Sequence, residues 1–250
     1  MDEPNKLPDP NSSEQSNQLL GLLRDLFGDS AKELSALGAD WIRAARYKSW
    51  LKIYGLAAKW AKESDLETHQ PPLKFLLPFM EHSSLDGEDK TLSEMWSGLL
   101  LNASSFYETK HETYTKLLSQ ISPDEARFLK RLFNSTSSNA VYNYNNFSEF
   151  FSDRHEDFET SVHNFNIPHL GNEVNDGIVT FVFHGNSIAS INNFVLTDWL
   201  EGQIMLHLSS LGLVRNKTES RLVDGDTSFA FSSMLSPLGY DLINSCERPE

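Results

Sequence analysis

With 250 residues, 39% of them apolar, the chain is long enough to build a real core as one large domain or two small ones, which excludes global disorder. Thirty-five acidic against 21 basic residues give a net charge of −14, so most of the surface repels nucleic acid and anionic membrane, and any anion site must be a local exception. One cysteine, Cys246, excludes an internal disulfide and a zinc-thiolate cluster.

Residues 1–17, MDEPNKLPDPNSSEQSN, hold Pro4, Pro8 and Pro10 with almost nothing to bury, and read as a disordered leader. They lack the basic start and apolar run of a signal peptide, and no stretch of the chain approaches the ~20 apolar residues of a membrane span. A cytoplasmic location is therefore expected. Leu19, Leu20, Leu22, Leu23, Leu26 and Phe27 then recur at helical spacing up to Gly28, and a second short helix is expected over about residues 29–37.

Residues 41–62 carry Arg43, Arg46, Lys48, Lys52, Lys59 and Lys62 and no acidic residue, which leaves the rest of the chain at −20. At about 100° per residue a helix here puts Lys48, Lys52, Lys59 and Lys62 on one narrow face. Trp50, Ile53, Tyr54, Ala57, Trp60 and Ala61 fall on the opposite side, where the tryptophans are expected in the core. The lysine face fits either a solvated surface, paired with the chain's own carboxylates, or a docking surface for an anionic partner.

Pro71 and Pro72 introduce LKFLLPFMEHSSLDGEDK, in which Pro78 is expected to kink a helix or to begin a new one, since it has no amide to donate. Thr91 and Glu94 read as a capping box opening the next helix, with Leu92, Met95, Trp96, Leu99, Leu100 and Ala103 as its buried stripe. Tyr114, Leu117, Leu118 and Ile121 mark a further helix. Ser122, Pro123 and Glu125 read as a second capping box, before Phe128, Leu129, Leu132 and Phe133 face inward. These stripes cannot be buried singly, so a helical bundle is expected.

From Asn134 the sequence turns polar, and the stretch to about residue 186 reads as a variable acidic linker or insert. His155, His163 and His169 lie there among Asp153, Glu156, Asp157 and Glu159. Their spacing offers no i, i+4 pair and no HExxH pattern, so a solvated acidic loop is favoured and neither metal nor cofactor is expected. The run 178–183, IVTFVF, reads as a strand with no obvious partner. Near the end, a helix closing at about Leu211, Gly212 as a left-handed cap, a hairpin and a last helix from Ser236 and Pro237 follow one another. In that last helix Leu238, Leu242 and Ile243 are expected to face one way. This order resembles a winged-helix domain over residues 187–250, with Arg215, Lys217 and Arg221 in its wing.

The segments LLPFMEHSSLD, SEMWSGLLLNA and LSQISPDEARFLKRL, in that order, resemble the Abi-alpha family of bacterial abortive-infection proteins. Residues 41–62 and the tail segments SLGLVRN and SPLGYDLINSC resemble the family's flanks, whereas residues 134–190 resemble none of it. The resemblance implies defence against bacteriophage through arrest or death of the infected cell, and brings no catalytic residue with it. It assigns residues 18–133 to an Abi-alpha-like helical domain, in a mainly α protein whose smaller α+β winged-helix-like part follows.

No GxSxG elbow, GxxxxGK[ST] loop or GxGxxG fingerprint appears, so an enzyme is not indicated, although a triad assembled from distant positions stays open. Residues 134–250 carry five basic against 15 acidic residues, which disfavours DNA binding there. The expectation is action through an unknown protein partner, a phage component among the candidates, with oligomerisation open and neither nucleic acid nor membrane favoured. The alternative is a nucleic-acid-binding regulator using the wing or the basic helix of residues 41–62. The anion or partner candidates are Lys48, Lys52, Lys59, Lys62, Arg215, Lys217 and Arg221.

Overall fold

The computed structural model describes residues 44–135, 174–175, 178–185, 200–223 and 226–249. The proline-rich leader, the two short helices expected before residue 38 and the stretch with His155, His163 and His169 lie outside them. Among the described residues the chain is mainly helical, with one antiparallel sheet. Packing divides it into two units, residues 1–123 with 244–250, and residues 124–243.

The first unit is built on α1 (Ala44–Glu63), α2 (Leu73–Asp86), α3 (Lys90–Ser105) and α4 (Lys110–Leu118). Helix α1 lies against α2 and α3, and α4 packs on α2 and α3. The face of α1 expected to be apolar is the buried one: Trp50, Ile53, Tyr54, Ala57 and Ala61 are in the core, while Trp60 is half-buried. Around them run linked aromatic contacts, with Tyr54 edge-on to Phe79 at 6.3 Å and Phe79 edge-on to Trp96 at 5.3 Å. A buried serine adds a polar tie between helices, since Ser97 Oγ lies 3.0 Å from Ile53 O and 2.6 Å from Ser93 O. Replacing Gly55 of α1 with alanine is expected to stabilise the protein by about 0.8 kcal/mol, read as a higher Tm, because glycine weakens a helix interior. A Cβ at that position meets nothing within 4 Å.

One helix start differs from the sequence expectation. The cap of α3 is Asp89, whose carboxylate accepts from Leu92 N at 3.0 Å, and not Thr91. Aspartate is as good an N-cap as threonine or better, and sits where it leaves Lys90 free to pair with Glu94 at 3.8 Å. Of the two readings left open for Pro78, a new helix does not begin there; the proline lies inside the single helix α2. Burial of Phe75, Leu76 and Phe79 on both sides of the proline offsets the one backbone bond lost.

The second unit contains α5 (Pro123–Ser135), the strands β1 (Val174–Asn175), β2 (Ile178–Gly185), β3 (Val214–Val223) and β4 (Asp226–Leu235), and α6 (Leu200–Ser210). The last helix, α7 (Pro237–Cys246), gives its residues up to Ile243 to this unit and the remainder to the first. Pro123 occupies the first position of α5 as expected, and Phe128, Leu129 and Leu132 are buried. The sheet order is β1-β2-β4-β3, so the missing partner of the strand at 178–185 is β4, with Phe181 opposite Phe231. Helix α6 ends as the sequence implied: Gly212 takes φ +73°, and Leu213 N reaches back to Leu208 O at 2.9 Å. Ser236 caps α7, its Oγ accepting from Gly239 N at 3.0 Å. Leu242 and Ile243 are buried, but Leu238, in the first turn, is exposed, so the expected three-residue face is a two-residue one.

Candidate functional site

The basic face read from residues 41–62 forms on α1. Lys48, Lys52, Lys59 and Lys62 are all exposed along the side opposite the core residues. Two of them also serve the fold. Lys52 Nζ donates to Gly87 O at 2.9 Å, meeting a carbonyl at the C-terminal end of α2, where the helix dipole favours a cation. Lys59 lies 3.7 Å from Glu63 in an i, i+4 pair.

A fifth cation joins this face that the sequence did not reveal. Arg248 Nη1 lies 3.1 Å from Glu63 Oε2, and Ser64 Oγ donates to Pro249 O at 3.3 Å, so the tail lies against the end of α1. It is held there from α3: Asn102 Nδ2 lies 3.0 Å from Ser245 O and 3.1 Å from Glu247 O. No local pattern could place Arg248, because the partners stand more than 140 residues apart in sequence.

Beside the basic face lies the turn between α2 and α3. Trp96 Nε1 donates to Asp86 Oδ2 at 2.9 Å, yet burial pushes the Asp86 carboxyl above its ordinary value, with Asp89 adding to the rise against the opposing indole bond and His82. A raised folded value means that the group's stabilising contribution is full below 3.8 and is lost as pH rises through the folded value. Asp86→Asn keeps an acceptor for the indole and removes a negative charge from a helix C-terminus. It is expected to raise the Tm at neutral pH by the equivalent of about 0.5 kcal/mol, with the gain vanishing as pH falls into the carboxylate range. Melting curves across pH 3 to 8 check it, on the order of one curve per pH unit.

Two further polar groupings were not foreseen. Glu112 accepts from Tyr107 Oη at 2.6 Å and pairs with Lys74 at 2.9 Å, so the Tyr107 hydroxyl is pushed up to about 12 while the Glu112 carboxyl is held below its ordinary value. His111 is buried beside them, its Nδ1 accepting from Glu108 N at 3.0 Å, and desolvation lowers its pKa and keeps it neutral. In the second unit Glu125, read from sequence as a capping residue, is buried with its Oε1 2.5 Å from His207 Nδ1. A carboxylate on one ring nitrogen can orient a general base, but among the described residues no hydroxyl or thiol bonds the other nitrogen. The pair ties α5 to α6.

Of the remaining sequence candidates, Arg215 is exposed on β3, and Lys217 and Arg221 occupy alternate positions of the same strand. Since β3 ends the sheet order, these positions lie on an edge. No helix of the described residues is long and apolar enough to cross a membrane, and no three of their His, Cys, Asp or Glu side chains gather as metal ligands.

A helical unit with a cationic outer face and a second unit of helices with an antiparallel sheet define a class of architecture, and no reaction. The family model described as abortive infection alpha matches residues 51–246, from α1 to the end of α7, and the chain belongs to that family. The match spans both units, including the stretch 134–190 that carried no resemblance of its own. Neither a curated protein nor a solved structure matches the chain.

Proposed function

We propose that this is a bacterial anti-phage defence protein of the abortive-infection type, acting in the cytoplasm through contact with a protein partner, a phage component being one candidate. The family match over residues 51–246 carries the reading. Its action by contact is supported by where the resembling segments fall: Leu76, Phe79, Trp96, Leu99, Leu100 and Leu129 in them are core residues, so their pattern serves folding. Cells expressing the protein are expected to plate phages less efficiently than cells without it. Equal plating across a broad panel overturns the reading.

A finer part of the proposal is that α6, the β3–β4 hairpin and α7 act as a winged-helix-like unit, which their order supports. This gives the second reading its specific observation, the alternate Arg215, Lys217 and Arg221 on the edge strand. Under that reading duplex DNA binds with a steep salt dependence, and Arg215→Glu weakens binding and flattens the slope by about one unit. The net −10 of residues 134–250 favours the first reading.

A further inference from the structure

We propose that the outer face of α1, extended by Arg248, docks a compact acidic segment of a protein partner. This rests on the reading above that the protein works through a protein contact, and adds where the contact is made and what chemistry the partner brings. Lys48, Lys52, Lys59 and Lys62 are exposed along one helix face, and at a rise of 1.5 Å per residue the stripe is about 21 Å long. No carboxylate interrupts residues 44–62. Glu63, the first one after them, is shared between Lys59 at 3.7 Å and Arg248 at 3.1 Å, so that end of the stripe remains net positive. The bond from Lys52 to the Gly87 carbonyl leaves the ammonium charge in place, because a carbonyl is neutral.

What lies beyond the stripe decides between occupants. The Lys52 bond, with Ser49 packed against Gly87, sets the turn carrying Asp86, Glu88 and Asp89 beside the first half of α1. Past the other end follow Asp65 and Glu67, both exposed. Cations in the middle and carboxylates around them make a short island of positive charge. A nucleic-acid duplex or an anionic bilayer carries its charge on past those carboxylates and is repelled by them, within a Debye length of about 8 Å. Membrane insertion of α1 is closed as well, since its apolar side of Trp50, Ile53, Tyr54, Ala57 and Ala61 is in the core. A helix of about 14 residues with glutamates three and four apart matches the stripe in length and ends where it ends.

The test is fluorescence anisotropy with the full chain and three probes: a labelled Glu-rich helical peptide of about 14 residues, a labelled DNA duplex, and phosphatidylserine vesicles. The peptide is expected to bind at low salt and to weaken at physiological salt. Lys48→Glu with Lys59→Glu is expected to weaken it by about tenfold or more, with a melting curve lowered only slightly, because both side chains are exposed and the surface pair of Lys59 with Glu63 contributes about 0.5 kcal/mol. Absence of peptide binding at low salt, equal binding by the double variant, or tighter binding of duplex or vesicles overturns the docking proposal. Phage plating separates the two readings. A wild-type chain that protects and a folded double variant that does not support both. Equal protection by both overturns the docking surface and leaves the defence reading standing, while a wild type that does not protect overturns the defence reading, whatever the peptide does.

Discussion

Gly98→Ala is expected to lower stability by about 2 kcal/mol, although alanine is the better helix former. A Cβ at position 98 of α3 would overlap the carbonyl oxygen of Cys246, and backbone cannot swing aside as a long side chain can. The gain in helix propensity, about 1 kcal/mol, is therefore set against an overpacking cost of about 3 kcal/mol. Relief comes by moving the tail off α3, which breaks the bonds from Asn102 to Ser245 O and Glu247 O and withdraws Arg248 from Glu63. Two measurements check this: a lower Tm, and faster labelling of Cys246, which is buried in the native protein. The same substitution at Gly55 has the opposite sign, because no atom stands within 4 Å there. A Gly98→Ala variant that melts at the wild-type temperature with an unreactive thiol would show that the tail is not held on α3.

The contrast between these glycines marks what the sequence could and could not say. The side of α1 that is buried, the inward residues of α3 and the Gly212 cap were legible, because each follows from a period or a dihedral that the local residues impose. The cap at Asp89 was misread because Thr91 and Glu94 fit the capping-box spacing, whereas Asp89 has Leu92 three residues on and caps by its bond from Leu92 N alone. Whether α2 runs on through Pro78 or a new helix begins there stayed open for another reason: a proline's cost is local and visible, whereas the burial of Phe75, Leu76 and Phe79 that outweighs it is tertiary.

The candidate site divides in the same way. The lysine face was read in full from residues 41–62, since four cations at helical spacing need no other part of the chain. Arg248 was not, nor was the pairing of Glu125 with His207, which lie 82 residues apart. Glu125 had looked complete as a capping residue. Such pairs join segments that only the fold brings together, and with no constraint on spacing they leave no sequence signal.

Trp96→Ala is expected to cost roughly 4 kcal/mol, a large part of the stability of a typical domain, and to melt the first unit well below the wild-type temperature. The side chain is fully buried against Phe79, with its ring edge-on at 5.3 Å. Trp96→Phe separates the two things the indole does. Phenylalanine keeps most of the apolar contact but cannot donate to Asp86, and the hydrogen bond it removes is the one that holds the Asp86 pKa down against burial. The folded value then moves further up, and stability present below the ordinary carboxylate value is lost as pH rises through it. The deficit of Trp96→Phe against wild type should therefore be smaller at pH of about 3 than at about 7. Adding Asp86→Asn removes the charge that the phenylalanine leaves without its donor, so the double variant should lose most of this pH dependence. A double-mutant cycle in urea at both pH values reads the coupling directly. If the Trp96→Phe deficit is the same at both, the indole acts only through packing and the bond to Asp86 adds nothing measurable.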